Sequence, residues 1–142
     1  METKTAIVTG ASSGIGLGLA RALLDRGYAV IGNARTLSRL KRASDALGSP
    51  GRFVPVDGDI GRPEVGKRLF EAALDRFGHV DVLVNNAGVF IAKPTIDYDV
   101  DDVEQMISTN LKGFVYPTHG ENLSRVRCVS CVIQSASCSL EE

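Results

Sequence analysis

The 142-residue sequence has almost no excess of charge of either sign: 16 lysines and arginines face 17 aspartates and glutamates, a formal net charge of −1. That balance offers no electrostatic basis for holding nucleic acid or an anionic membrane. Long apolar runs are missing too. Nothing approaches the roughly 20 apolar residues of a membrane span, and the N-terminus has no apolar core of a signal peptide, so a cytoplasmic protein is expected. No internal repeat or low-complexity segment is present. Cysteine is scarce and confined to one end, at Cys128, Cys131 and Cys138. Cys128-Val-Ser-Cys131 has the spacing of half a zinc site, with His119 upstream, but a second paired ligand set at a regular distance is lacking. Small, partly buried thiols are expected there, and no metal is assigned.

What remains suits one folded unit. Hydrophobic residues make up 44% of the chain and charged residues 23%, a globular balance, and the length can bury one sizeable core. The chain is organised around Thr5 to Gly18. Ala6-Ile7-Val8 is a short apolar run that fits a buried parallel strand. Gly10, Gly14 and Gly16 then lead into a helical pattern carrying Leu17, Leu19, Ala20, Leu23 and Leu24. A strand that enters a helix through glycines brings bare backbone close to a pyrophosphate. The helix start adds unpaired N–H groups and a positive dipole end. Gly10, Ser12, Ser13, Gly14, Ile15 and Gly16 are therefore the candidate pyrophosphate residues.

Further on, helical and strand patterns alternate. Tyr28 to Asn33 is a second strand, whose end carries the residue that reads the adenosine ribose. An acid there bonds the 2′-hydroxyl of NAD, whereas a nearby arginine accommodates the 2′-phosphate of NADP. This chain has Asn33-Ala34-Arg35 and no acid, which favours NADP(H) over NAD(H). Leu37, Leu40, Ala43 and Leu47 form an amphipathic stripe. Arg52 to Asp57 is a third strand, and Pro55 suggests a sheet edge, where a missing donor is tolerated. Pro63 opens a third helix with Val65, Leu69, Phe70, Ala73, Leu74 and Phe77 on one side, closed by Gly78. Val80 to Val84 runs into Asn85-Asn86-Ala87-Gly88. A helix from Asp101 follows, with Val103, Met106, Ile107 and Leu111 on one face.

Thr9-Gly10-Ala11-Ser12-Ser13-Gly14-Ile15-Gly16, followed two βα units later by Asn85-Asn86-Ala87-Gly88 and then by Asn110, resembles the short-chain dehydrogenase/reductase family over about residues 1–118. The resemblance implies an α/β fold with a Rossmann-like, doubly wound parallel sheet, βαβαβαβα in strand order 3-2-1-4. It also implies NAD(P)-dependent oxidoreductase chemistry. By the same resemblance Asp59 and Ile60 lie against the adenine, although Asp57-Gly58-Asp59 leaves the register open. Asn86, Ala87 and Gly88 flank the central ribose. Asn110 matches the active-site asparagine, which helps hold a proton-relay water.

The family's Tyr-x-x-x-Lys pair is absent: the residues four beyond Tyr28, Tyr98 and Tyr116 are Gly32, Asp102 and Gly120, and no lysine follows Lys112. The expectation is a cofactor-binding half with impaired catalysis, residues 1–118, followed by a divergent tail over 119–142. Pro117 and Gly120 should interrupt the last helix. Val126 to Ile133 reads either as a fifth strand, with Ser135 or Ser137 near the family's serine, or as part of an unrelated tail. A fourth strand with no neighbour leaves an open edge, and self-association or pairing with a full-length relative is expected there. A non-catalytic nucleotide-binding or interaction protein, or an incomplete gene product with no function of its own, is the alternative reading.

Overall fold

The computed structural model describes residues 3–48, 51–119 and 126. Four strands, β1 (Thr5–Thr9), β2 (Ala29–Ala34), β3 (Phe53–Asp57) and β4 (Val82–Val84), alternate with α1 (Gly14–Asp25), α2 (Leu37–Leu47) and α3 (Pro63–Phe77). The sheet order is β3-β2-β1-β4 and every pairing is parallel. Thr9 sits opposite Asn33, and Val8 opposite Val84, so the functional strand ends are aligned along one rim.

Strand periodicity sorts the core into two layers. Ile7, Ile31 and Leu83 point to one face, where Val65, Leu69, Phe70 and Ala73 of α3 cover them. Their neighbours Val8, Val30 and Val84 point to the other, against Ala20 and Leu24 of α1 and Leu40 and Leu47 of α2. Burial on both faces explains why β1 and β2 read as unbroken apolar runs and not as alternating ones. The sheet is therefore doubly wound, as the resemblance implies. β3 lies at the edge, and Pro55 within it pairs with Gly32 of β2 on its inner side.

Beyond β4 the chain forms a 3-10 turn at Thr95–Asp97 and then a continuous helical run. This run is α4 (Val100–Met106), a π-helical segment (Ile107–Lys112) and α5 (Gly113–Thr118). Asp99 and Asp102 close a reciprocal capping box at its start, at 2.9 and 3.0 Å. The helix runs one residue past Pro117 and ends at Thr118, in keeping with an interruption there, while Gly120 lies outside the described residues; Pro117 is buried where α5 meets α3. There a Cβ on Gly66 would lie 3.3 Å from the Pro117 nitrogen and the Tyr116 carbonyl, so the two helices approach closely.

The helical run contacts α3 by that side only. Val100, Val103, Ile107, Leu111 and Val115, spaced three or four residues apart, remain exposed. Val126 packs against the α3-side core. The expected fifth strand and the rest of the tail lie outside the described residues.

Candidate functional site

β1 continues directly to β2 and β3 on one side, and the chain returns to β4 on the other. The gap above the β1 and β4 ends is the topological switch point, where ligands of open α/β sheets bind. A cleft of ≈ 470 Å³ lies there, a volume suited to a cofactor. Its floor is the β1–α1 loop with Gly10, Ser12, Ser13, Gly14 and Ile15. One wall is Asn33 to Thr36 with Arg39, another is Gly58 to Ile60, and a third is Asn86 to Phe90 with Thr109. The structure thus brings together residues spread over nearly a hundred positions.

The loop is built to hold an anion. Gly10 and Gly14 have φ of 67° and 53°, a region that glycine enters without strain. The 12-residue helix α1 starts at Gly14. Ser13, its N-cap, makes no side-chain bond to the first turn, and that turn has no acid. Its N–H groups and positive dipole end therefore face the cleft without an internal competitor. A pyrophosphate fits this donor set.

Gly16 is the one predicted pyrophosphate residue that does not line the cleft. It lies behind the loop, where a Cβ would come 2.1 Å from the Gly10 carbonyl oxygen and 2.5 Å from Asn86 Nδ2. The helix can approach the loop only because no side chain is present.

Two hydrogen-bond sets hold the walls. Thr9 Oγ1 accepts from the backbone N–H of Asn86 and of Ala87, both at 3.0 Å. Asn86 Nδ2 donates back to the carbonyls of Thr9, at 3.1 Å, and Gly10, at 3.3 Å. On the other side, Asn33 lines the cleft, but its Nδ2 donates to the carbonyls of Val56 and Gly58, at 3.1 and 3.2 Å. It braces the β3 end, and the side chain is buried. Asp59 Oδ1 accepts from Gly61 N–H at 2.9 Å. Asp59 and Ile60 reach the cleft, whereas Asp57 is paired with Arg68 and does not line it.

Asn110 is not on the cleft wall. It lies in the π-helical segment, and its amide forms a pair of bonds with the Val89 backbone: Val89 N–H to Oδ1 at 2.8 Å and Nδ2 to Val89 O at 2.9 Å. Its contact is with the wall that follows Gly88, which it holds in place.

The loop beyond this wall is held by a different cluster. Lys93 forms an ion pair with Asp102 and lies over the Tyr98 ring, and the Tyr98 hydroxyl donates to Ile91 O at 2.7 Å. The hydrogen bond from Lys93 holds the Asp102 carboxyl below the usual carboxylate range, and Asp102 raises Lys93 above its ordinary value. This lysine and tyrosine do not line the cleft.

Sequence reasoning did not name Ala34, Thr36, Arg39, Gly58, Val89, Phe90 and Thr109 as site residues, and all seven line the cleft. For Arg39 a signal existed, a basic residue one helical turn beyond Arg35. Val89 and Phe90 begin the Val89–Asp99 loop that the sequence reading sets over the nicotinamide side, whereas Thr109 carried no signal, since its approach depends on how the last helical run packs. Among the described residues no group of three or more histidines, cysteines or acids gathers as a metal site, and no helix is long and apolar enough to cross a membrane.

The short chain dehydrogenase family model matches residues 4–121. A probable NADP-dependent dehydrogenase of Haemophilus influenzae is 39% identical over 116 residues, covering 81% of this chain and 45% of that protein. The short-chain dehydrogenase/reductase (glucose/ribitol dehydrogenase) of Brucella melitensis superposes with a TM-score of 0.84 at 28% identity, over 92% of this chain and 57% of its own. A 3-ketoacyl-(acyl-carrier-protein) reductase of the same organism, complexed with NADH, gives a TM-score of 0.77 at 30% identity, over 83% and 48%. The chain spans between 33% and 50% of the length of the first three curated relatives it matches.

Proposed function

The chain belongs to the short chain dehydrogenase family, and from that premise we propose that it is the cofactor-binding part of an oxidoreductase that takes NADP(H) in preference to NAD(H). The observation that carries this reading is one cleft in which an uncapped helix start, an arginine after β2 and an Asp-Ile pair after β3 meet the Asn86–Gly88 wall. The loop residues Gly10 to Ile15 bind pyrophosphate, with Gly16 keeping α1 close behind them. Arg35 takes the adenosine 2′-phosphate, and Asp59 and Ile60 contact adenine. Ala87 and Gly88 flank the ribose next to the nicotinamide, and Asn110 orients that wall through Val89. Support for NADP(H) comes from the absence of an acid at the β2 end and from the NADP-dependent relative.

Bound in this cleft, the nicotinamide supplies or accepts hydride at C4. The Tyr-x-x-x-Lys pair that handles the substrate proton in the family does not occur in these 142 residues. The proposal therefore assigns cofactor binding to this chain and little or no turnover. Calorimetric titration with NADPH and NADH, beside an Arg35→Ala variant, tests it. Specific NADPH binding weakened in the variant is expected, and binding of neither nucleotide overturns the reading.

The sheet edge supports a second role. β4 pairs with β1 on one side and, among the described residues, with no strand on the other. Asn85, directly after β4, is buried with neither amide atom hydrogen-bonded. A second strand along this edge, from another copy or from a longer relative, would cover both features. In this reading the chain is a non-catalytic nucleotide-binding partner. A compact monomer at every concentration in size-exclusion chromatography, unchanged by mixing with a longer relative, would rule it out.

A further inference from the structure

Two walls of the cleft are joined by one short piece of helix. The π-helical segment Ile107–Lys112 lies between the turn after β3, at residues 59–61, and the wall after Gly88. Towards the turn it has two close seats. A Cβ on Gly113, which caps the segment, would lie 2.7 Å from Ile60 Cγ2, and a Cβ on Gly61 would lie 2.8 Å from the Ser108 carbonyl oxygen. Neither seat has room for a side chain. The turn itself is closed, because Asp59 accepts from Gly61 N–H through Oδ1 and from Arg62 N–H through its carbonyl. Towards the wall, Thr109 lines the cleft and Asn110 makes its paired bonds to the Val89 backbone.

Both sets of contacts depend on the π register. Gly113 N–H donates to Ser108 O, five residues back, and that carbonyl is the one against Gly61. A π turn holds one residue more than an α turn. The flanking helices are anchored, α4 at its start by the capping box and α5 at its end by Pro117 against Gly66. Were the run α-helical throughout, Gly113 would be turned by roughly 100° relative to α4. A residue with a side chain would then meet Ile60, where only glycine fits, and the Asn110 amide would leave Val89. The turn and the wall therefore select the same register, and whatever steadies one of them favours the other.

We propose that the π segment couples the two ends of the cleft, so that adenosine bound against Asp59 and Ile60 tightens the Val89 wall at the nicotinamide end. The proposal rests on the dinucleotide reading above and adds to it a conformational link between the two halves of the site. The link is reciprocal: freeing Val89 from Asn110 loosens adenosine at the other end.

The test uses the full 142-residue chain and adenosine 2′,5′-bisphosphate, a probe that carries no nicotinamide. Amide hydrogen exchange is followed by NMR with the probe at about ten times its Kd. The Val89 N–H should slow by about fivefold or more, where full coupling gives about elevenfold. The Tyr98 N–H, further along the same loop and bonded to Thr95 O, should keep its rate. At the same saturation Gly113→Ala, whose methyl group displaces Ile60 from its seat, should lose the Val89 effect. Asn110→Leu should bind the probe about fivefold more weakly, or less tightly still, although Asn110 faces the opposite end. An unchanged Val89 rate in the unaltered chain, equal slowing of Tyr98, or slowing that survives in Gly113→Ala would each overturn the coupling. Unchanged probe affinity in Asn110→Leu would do the same, and it decides the matter where Gly113→Ala does not fold. In each of these cases the dinucleotide reading stands. Failure of the unaltered chain to bind the probe, NADPH and NADH overturns that reading, and this one with it.

Discussion

Thr9 and Asn86 are bonded to each other in both directions: Thr9 Oγ1 accepts from Asn86 N–H at 3.0 Å, and Asn86 Nδ2 donates to Thr9 O at 3.1 Å. The glycine-rich loop and the Asn-Asn-Ala-Gly turn are thereby one unit, although 77 residues separate the two partners. The same threonine oxygen holds Ala87 N–H. One buried hydroxyl thus sets the distance between the floor of the cleft and the Asn86–Gly88 wall.

Thr9→Val keeps the shape of the side chain and removes the acceptor from two partly buried N–H groups. A loss of about 2–4 kcal/mol in stability is expected, since each stranded donor keeps its desolvation cost. Thr9→Ser should restore most of it. Chemical denaturation of the two variants decides the matter, and equal stability of Thr9→Val and the unaltered chain would sink the coupling.

Gly16→Ala places a methyl group where 2.1 Å separates it from the Gly10 carbonyl oxygen. Either α1 or the loop must shift, at a cost of about 1–3 kcal/mol or more, and nucleotide binding should be lost. Gly18, two residues on in the same helix, has nothing within 4 Å of a built Cβ. Gly18→Ala should raise stability by about 0.5–1 kcal/mol and leave binding intact. Melting curves and titrations of this pair separate close packing from helix propensity.

Asn110→Leu removes both bonds to the Val89 backbone. Stability should fall by about 1–3 kcal/mol, and NADPH affinity should fall with it because the wall after Gly88 is no longer held. A destabilised variant with unchanged affinity would show that the wall does not depend on Asn110.

The Lys93–Asp102 pair predicts a pH window for the loop between Val89 and Asp99. The Asp102 carboxyl is held below its ordinary value by the Lys93 hydrogen bond, so its contribution is present above about pH 4 and lost as pH falls through the lowered folded value. Lys93 is raised by the hydrogen bond to Asp102, so its contribution is complete at neutral pH and lost only as pH rises through a value above the ordinary lysine range. Hydrogen exchange in this loop should therefore be flat across neutral pH and accelerate at the acid end beyond the intrinsic pH trend. Lys93→Met should shrink that acid transition but not remove it, because the α4 capping box between Asp99 and Asp102 also holds the Asp102 carboxyl low. An undiminished transition in Lys93→Met would show that the Lys93 bond does not set it.

The order of elements and the chemistry of the loop were legible in the sequence because both are local properties. A fully buried strand, a glycine turn and a helix start differ in the spacing of neighbours, so Ala6-Ile7-Val8, Gly10, Gly14 and the leucines of α1 announce themselves. Pro55 marked the edge for the same reason, through a single missing donor. The Asn-Asn-Ala-Gly turn was visible as a motif, but nothing in its own residues says that Asn86 reaches back to Thr9.

What only the tertiary structure decided are the long-range assignments. Asn33, a candidate cofactor residue at the end of β2, lines the cleft and also turns its amide to the carbonyls of Val56 and Gly58, because parallel pairing with β3 puts them within reach. Pro117 seats the end of α5 against Gly66 of α3, one residue before the helix stops at Thr118. Asn110 holds Val89 from outside the cleft, and Gly16 acts from behind the loop. Arg39 enters the site through the placement of α2 on the sheet. Sequence spacing determines which face a residue occupies on its own element. Which other element meets that face is fixed only when the sheet order is set and the two core layers close over it.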